Sequence, residues 1–168
     1  MHSLAATKRL RKELQVLRKA EDDSDIVLTV HPDNLLLWKA WIKGPIDTPY
    51  ESGVFQLDIR CGSDYPLAPP TIKFVTKIFH PNVHFRTGDI CLDILKKEWS
   101  PAWGLQAACR AVLALLSDPD AESPLNCDAG NMIRGNDMIA YHTTAAMYTV
   151  ENAHFTPWPP TQQQQHLE

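Results

Sequence analysis

The sequence has no long apolar run, no paired-cysteine motif, no excess of one charge and no internal repeat. Each absence narrows the field. A membrane-spanning helix needs about 20 consecutive apolar residues. No stretch approaches that length, so direct membrane insertion is not expected. The four cysteines, Cys61, Cys91, Cys109 and Cys127, include no pair at the two-residue spacing of a zinc knuckle or a dithiol redox centre. The opening MHSLAATKRL lacks the apolar core of a secretory leader. The expectation is therefore a soluble protein of a reducing compartment with free thiols and no metal. A net charge of −4 offers nothing for nucleic acid to bind in bulk.

What is present suits one domain: 168 residues, 44% of them hydrophobic. Charge is uneven along the chain. KRLRKELQVLRK (8–19) is basic and EDDSD (21–25) is acidic. In the first 20 residues Leu10, Leu14 and Leu17 recur at helical spacing, leaving Arg9, Arg11 and Lys12 on an exposed basic face. Four β-like runs follow: 26–30, 35–43, 54–59 and 71–75. Alternation puts Trp38, Ala40 and Ile42 on one face, as it does Phe55, Leu57 and Ile59, and Ile72 and Phe74. The connectors are short and rich in Pro, Gly and Asp, which favours an antiparallel meander. Residues 75–104 show no regular pattern, and an irregular stretch that long inside a domain is usually functional. LQAACRAVLALLS (105–117) reads as a buried helix with Leu105, Ala108, Cys109, Val112 and Leu116 on one side. Residues 127–153 read as two more helices, broken near Gly135, with Asn136 as a candidate cap. The fold class is α+β.

Chemistry concentrates in HPNVHFRTGDICLDILKKEWSPAW (80–103). Pro81 fixes the backbone of a corner that holds His80 and Asn82. Asn82 carries an amide donor suited either to a developing oxyanion or to tying a loop together. Four readings of the Cys91 thiol are open: nucleophile, metal ligand, half of a disulfide, or small buried hydrophobe. A hydrolase would need a histidine to raise the thiolate fraction, and His80 and His84 are the nearest in sequence. Trp99 and Trp103 flank Ser-Pro-Ala; they can cap the core or offer an exposed anchor.

These residues, with others in order along the chain, carry a resemblance. KRLRKEL (8–14), GPIDTPYESGVFQL (44–57), YPLAPPTIKF (65–74), HPNV (80–83), GDICLDIL (88–95), WSPAW (99–103) and LLSDPDAESPL (115–125) together resemble the ubiquitin-conjugating (E2) enzymes. The resemblance covers roughly residues 4–155. It implies the UBC fold: an N-terminal helix, a four-stranded antiparallel meander, a long active-site loop, then C-terminal helices. One core domain is expected over 1–155, with a flexible Pro/Gln-rich tail at 156–168.

The resemblance also implies roles. Cys91 would accept ubiquitin as a thioester from an activating enzyme (E1) and pass it to an amine or thiol under a RING-type ligase (E3). Asn82 would stand beside the thioester, with His80 and Pro81 as support. Asp93, Glu122 and Ser123 would flank the attacking group. Arg9, Lys12, Leu67, Pro101 and Ala102 would meet the ligase and the activating enzyme. No cofactor is implied, since ATP is used by the E1. Three departures stand out. Leu67 replaces the usual Phe, Ser123 replaces a common acidic residue, and the His80-to-Cys91 loop is one residue longer than the commonest pattern. The loop, with SPLNCDAGNMIRGNDMIAYH (123–142), is most similar to the fungal peroxisomal branch, the peroxin-4 enzymes. That branch implies work at the cytosolic face of the peroxisomal membrane, on the cycling import receptor. It also implies a membrane-anchored peroxin as partner, expected on the sheet face opposite the active site, where LLLWKAWIK contributes. The other readings are a general cytosolic E2, an E2 for another ubiquitin-like modifier, a non-catalytic ubiquitin-binding scaffold and a cysteine hydrolase.

Overall fold

Strand alternation decides how the chain layers. The computed structural model describes residues 4–91, 95–97 and 99–160. Helix α1 (Leu4–Lys19) leads into strands β1 (Ile26–His31), β2 (Asn34–Lys43), β3 (Val54–Arg60) and β4 (Thr71–Phe74). These pair in sequence order, every pair antiparallel, as the short connectors imply. Directly paired residues share a face. Leu28, Ala40, Leu57 and Phe74 form one row across the sheet; Val30, Trp38, Ile59 and Ile72 form the next. Both rows belong to the core, with Ala40 and Leu57 wholly buried.

Helix α2 (Leu105–Ser117) covers that inner face. Leu105, Ala108, Cys109, Val112 and Leu116 are all buried, together with Leu113 and Leu115, so more of its surface is inside than one stripe accounts for. Helix α1 enters the same core through Ala6 and Leu10, with Leu14 and Leu17 against it. Helices α3 (Cys127–Arg134) and α4 (Met138–Ala153) complete the molecule. Two details differ from the sequence reading. Asp137, not Asn136, caps α4, its side chain accepting from the Ala140 amide at 3.1 Å. Asn136 instead takes the left-handed turn, with φ 58°, which asparagine tolerates better than most residues.

The outer face is two-sided in character. Thr29, Lys39, Asp58 and Lys73 form a polar row. Trp41 lies on that face by alternation, yet is only 2% exposed. The chain after α4 reaches the same end of the sheet: Trp158 lies over Lys43, with Nζ 4.8 Å from the ring centroid, and Pro160 is buried. Trp158 and Pro160, assigned to the tail from sequence, thus lie against the molecule; 161–168 lie outside the described residues.

Residues 82–91 form a narrow hairpin beyond β4. Val83 bridges Ile90 and Lys73 bridges Asp89. The turn needs Gly88: its φ is +75°, and a Cβ there would fall 1.9 Å from the Phe74 carbonyl oxygen. Gly88→Ala is expected to cost well over 1 kcal/mol, since both backbone conformation and space forbid the methyl group. Urea unfolding checks this; unchanged stability would refute the account.

Candidate active site

The corner formed by His80, Pro81 and Asn82 is built by putting polar groups where no water can serve them. His80 and Asn82 are both 0% exposed. The Leu115 carbonyl can only accept, so His80 Nε2, 2.9 Å away, carries the ring proton. Nδ1 accepts the Asn82 amide at 3.0 Å. Both ring nitrogens are therefore committed and the imidazole is neutral. Burial pulls its pKa down from 6.5 to about 4, outweighing the Leu115 bond. Tyr50 packs 5.7 Å from the imidazole, ring centre to ring centre. Its hydroxyl donates to the Phe79 carbonyl at 2.7 Å and accepts from the Tyr141 hydroxyl at 2.7 Å. The GPIDTPYESG connector is thereby fastened to α4.

Pro81 and Asn82 fasten the loop before α3. The Pro81 carbonyl accepts from the Leu125 and Asn126 amides, at 2.8 and 3.0 Å. Asn82 makes a closed ring with Asp120. Its Nδ2 donates to the Asp120 carbonyl at 2.6 Å, and its Oδ1 accepts the Asp120 amide at 2.8 Å. The loop-tying role of Asn82 is what the resting geometry displays; one Nδ2 hydrogen is left for other use.

Cys91 stands at the end of the hairpin, half-buried, its amide donating to the Asn82 carbonyl at 3.0 Å. The thiol is thus placed one hydrogen bond from the corner. It is not half of a disulfide: all four cysteines are free. Cys61 and Cys109 are buried in the core, and burial pushes both thiols up to about 12. Cys127 is exposed. Neither nearby histidine serves Cys91. His84 folds back on its own loop, Nδ1 accepting from the Arg86 and Thr87 amides at 3.2 and 3.1 Å. A protease-like Cys–His dyad is therefore not built here. Glu122 and Ser123 are exposed on the loop that Asn82 and Pro81 hold. Asp93 lies outside the described residues.

Phe85 lies near the tip of the 82–91 hairpin. It meets Tyr148 of α4 at 5.1 Å and Phe79 at 6.2 Å, and Lys77 Nζ lies 4.2 Å above its ring. This aromatic clamp was invisible in sequence, because its members lie far apart along the chain.

A second locality gathers the remaining candidates. Leu67 is 79% exposed, beside the cis Tyr65–Pro66 bond. Trp99 donates from Nε1 to the Pro66 carbonyl at 2.9 Å, so the 65–68 loop and the 99–103 loop lie together. Trp99 packs against the core, and its ring centre is 6.2 Å from that of Trp103. Pro101, Ala102 and Lys12 are exposed nearby. Arg9 corrects the sequence reading. It is not part of a free basic face: its guanidinium bonds Glu13 and the Pro101 and Trp103 carbonyls within the chain.

A half-buried cysteine bonded through its amide to the His-Pro-Asn corner, on an α+β antiparallel meander of this order, can be compared with known proteins. The family described as ubiquitin-conjugating enzyme matches residues 9–149. The chain belongs to that family. It is an E2, a transferase. Among its relatives, Protein PEROXIN-4 of Arabidopsis thaliana is 54% identical over 146 residues, 86% of this chain and 93% of that one. The ubiquitin-conjugating enzyme E2 pex4 of Dictyostelium discoideum is 56% identical over 141 residues, 84% and 95% of the two chains. Among solved structures, the H. polymorpha ubiquitin conjugating enzyme Pex4p, crystallised in complex with the soluble domain of Pex22p, superposes with a TM-score of 0.83 at 37% identity. The match covers 89% of this E2 and 99% of that chain. Peroxin-4-type similarity therefore extends from plants and an amoeba to yeast. No helix among the described residues is long and apolar enough to cross a membrane.

The buried neutral His80 gives this E2 a pH signature. The unfolded chain binds a proton at His80 below about pH 6.5, whereas the folded chain resists it until about pH 4. Stability contributed by this site is therefore full above pH 6.5 and lost progressively as pH falls to 4. The loss is on the order of 3 kcal/mol. Urea unfolding of the native protein and of His80→Gln across that range should show a shallower acid loss in the variant. Parallel curves would contradict the neutral-imidazole assignment.

Proposed function

We propose that this E2 carries ubiquitin as a thioester on Cys91 and hands it to a peroxisomal import receptor at the cytosolic face of the organelle. The observation that carries the reading is the setting of Cys91: a half-buried residue, held by its amide to the Asn82 carbonyl, with neither His80 nor His84 placed to act as base for the thiol. That setting suits acyl transfer from an already activated donor and does not favour hydrolysis. In loading, the Cys91 sulfur attacks the thioester carbonyl carbon on the activating enzyme. The new carbon–sulfur bond forms as the old one breaks, the E1 sulfur leaves as thiolate, and the Cys91 thiol proton passes to solvent or to that departing sulfur. In transfer, an acceptor nitrogen or sulfur attacks the same carbon. Cys91 leaves as thiolate, and the acceptor's proton passes to solvent or to the departing sulfur.

Asn82 serves this site chiefly by holding the 118–123 loop at the thiol, with its remaining Nδ2 hydrogen available to the oxyanion. Ser123 at an exposed position of that loop supplies no carboxylate to take a proton from an incoming ammonium. Glu122 alongside is the nearest substitute, and a thiol acceptor, which ionises more readily than lysine, needs less help.

The peroxisomal assignment is supported by the names of the relatives and by the Pex22p-bound neighbour. We place a membrane-anchored peroxin on the outer face of the sheet. There a groove of about 630 Å³ runs between Leu37, Lys39, Asp58, Arg60 and Lys73. Its size and mixed lining suit a protein side-chain anchor. Leu67, Pro101 and Ala102, with Lys12, form the surface for a RING-type ligase.

Two experiments decide these points. With ATP, E1 and ubiquitin the native protein should form an adduct cleaved by thiols, and Cys91→Ser should form one that resists them. A bare native chain under those conditions overturns the proposal, and charging only by the E1 of another modifier would redirect it. Ser123→Asp should then raise discharge onto free lysine about tenfold or more while leaving discharge onto free cysteine nearly unchanged. Equal effects on both acceptors would remove Ser123 from the account.

A further inference from the structure

Four segments meet at one ion pair, Arg9–Glu13, that the transfer chemistry does not use. The Glu13 side chain is only 12% exposed. Its Oε1 accepts from Arg9 Nε at 2.8 Å and from the Tyr65 hydroxyl at 2.6 Å; its Oε2 accepts from the Leu105 amide at 2.9 Å. Arg9 extends the knot. Its Nη1 donates to the Pro101 carbonyl at 2.6 Å and its Nη2 to the Trp103 carbonyl. Helix α1, the 65–68 loop, the 99–103 loop and the start of α2 are thus joined through a single ion pair.

The local sequence is arranged around this. Gly104 precedes α2 and offers no side chain to cap it. A Cβ there would lie 3.0 Å from Glu13 Oε2, so the absent methyl group leaves room for the carboxylate. The first turn of a helix has unpaired N–H groups and a partial positive charge, and Glu13 answers both from another element. Tyr65 and Trp99, with ring centres 5.8 Å apart, pack the two loops beside the knot.

We propose that Glu13 is a positioning residue that fixes the spacing of the 65–68 and 99–103 loops, and through it the response to a RING-type ligase. The proposal rests on the reading of Leu67, Pro101 and Ala102 as the ligase surface. The two loops share no strand pairing, so their relative placement depends on side-chain contacts. Without the carboxylate, the Tyr65 hydroxyl and Leu105 amide lose their acceptor and Arg9 loses the partner that aims it at two carbonyls. Charge-assisted bonds of this kind are roughly twice as strong as neutral ones. Among the described residues no bond of the knot reaches His80, Asn82 or Cys91, so transfer without a ligase is independent of it.

The test uses the full-length enzyme charged with ubiquitin, and Glu13→Gln, Glu13→Ala and Leu67→Ala variants. Discharge onto free cysteine is followed alone and with the RING domain that most stimulates the native enzyme. Amide exchange is followed at 64–68 and 99–105. The Glu13 variants should keep ligase-free discharge within about twofold. They should need about fivefold or more RING domain for half-maximal stimulation, and should lose exchange protection in both loops together. Glu13→Gln, which keeps one acceptor oxygen, should fall between native and alanine. A parallel fall in ligase-free and ligase-stimulated rates, or protection kept in either loop, overturns the proposal. If Leu67→Ala leaves stimulation intact, or no RING domain stimulates the native chain, the docking surface is wrong. Joint loss of protection in the Glu13 variants then still decides whether the knot exists.

Discussion

Everything about the thiol's placement follows from the need to satisfy buried polar groups in three consecutive residues. His80, Pro81 and Asn82 sit beyond the reach of water, and each must find its partner inside the chain. Each finds it in a different place: His80 at Leu115 near the end of α2, Pro81 at residues 125 and 126, Asn82 at Asp120. The Asn82 carbonyl then takes the Cys91 amide. One tight corner thereby locates the core helix, the loop bearing Asp120 and Cys91 relative to one another. No residue of this corner need be acidic or basic. A neutral imidazole serves because its two nitrogens differ, one giving a hydrogen and the other receiving one.

The layered fold keeps separate tasks on separate surfaces. The inner face of the sheet is used up by the core and α2. The corner lies past β4, tied to the sheet edge by Gly88 and Asp89 and to α4 by Phe85. The loops bearing Leu67 and Ala102 are tied to α1 and the start of α2, and the polar row of the sheet's outer face lies opposite the core, meeting the hairpin at the Lys73–Asp89 ion pair. A protein that must meet several partners in turn gains from such separation, because contact on one surface need not disturb the others.

Much of this was legible because strands and helices announce themselves locally. The rows containing Ala40, Leu57 and Phe74 come straight from alternation, and α2 from its apolar spacing. The family was legible too, since ordered motif blocks carry more information than any one residue. Contacts between distant side chains were not. Arg9 reads as a solvated cation because sequence shows four residues of separation from Glu13 but not the carbonyls of residues 101 and 103. Asn136 was misread by one position because Asn and Asp are both good caps, and backbone conformation alone separates Asn136 from Asp137. Trp158 and Pro160 sit in a Pro-rich run that composition assigns to a tail, yet Trp158 lies against Lys43 and Pro160 is buried. Asn82 was left open between two roles, and the ring it closes with Asp120 is a fact of three dimensions.

The burial of the cysteines has a practical side. Two sulfurs are sealed in hydrocarbon and two reach the surface, Cys91 and Cys127. On the proposed chemistry an alkylating probe therefore meets a pair of addresses on the folded protein, one masked when Cys91 is loaded and the other, Cys127, still exposed. Removing the second by a serine at 127 would turn the enzyme into its own occupancy gauge, with dye uptake counting empty carriers.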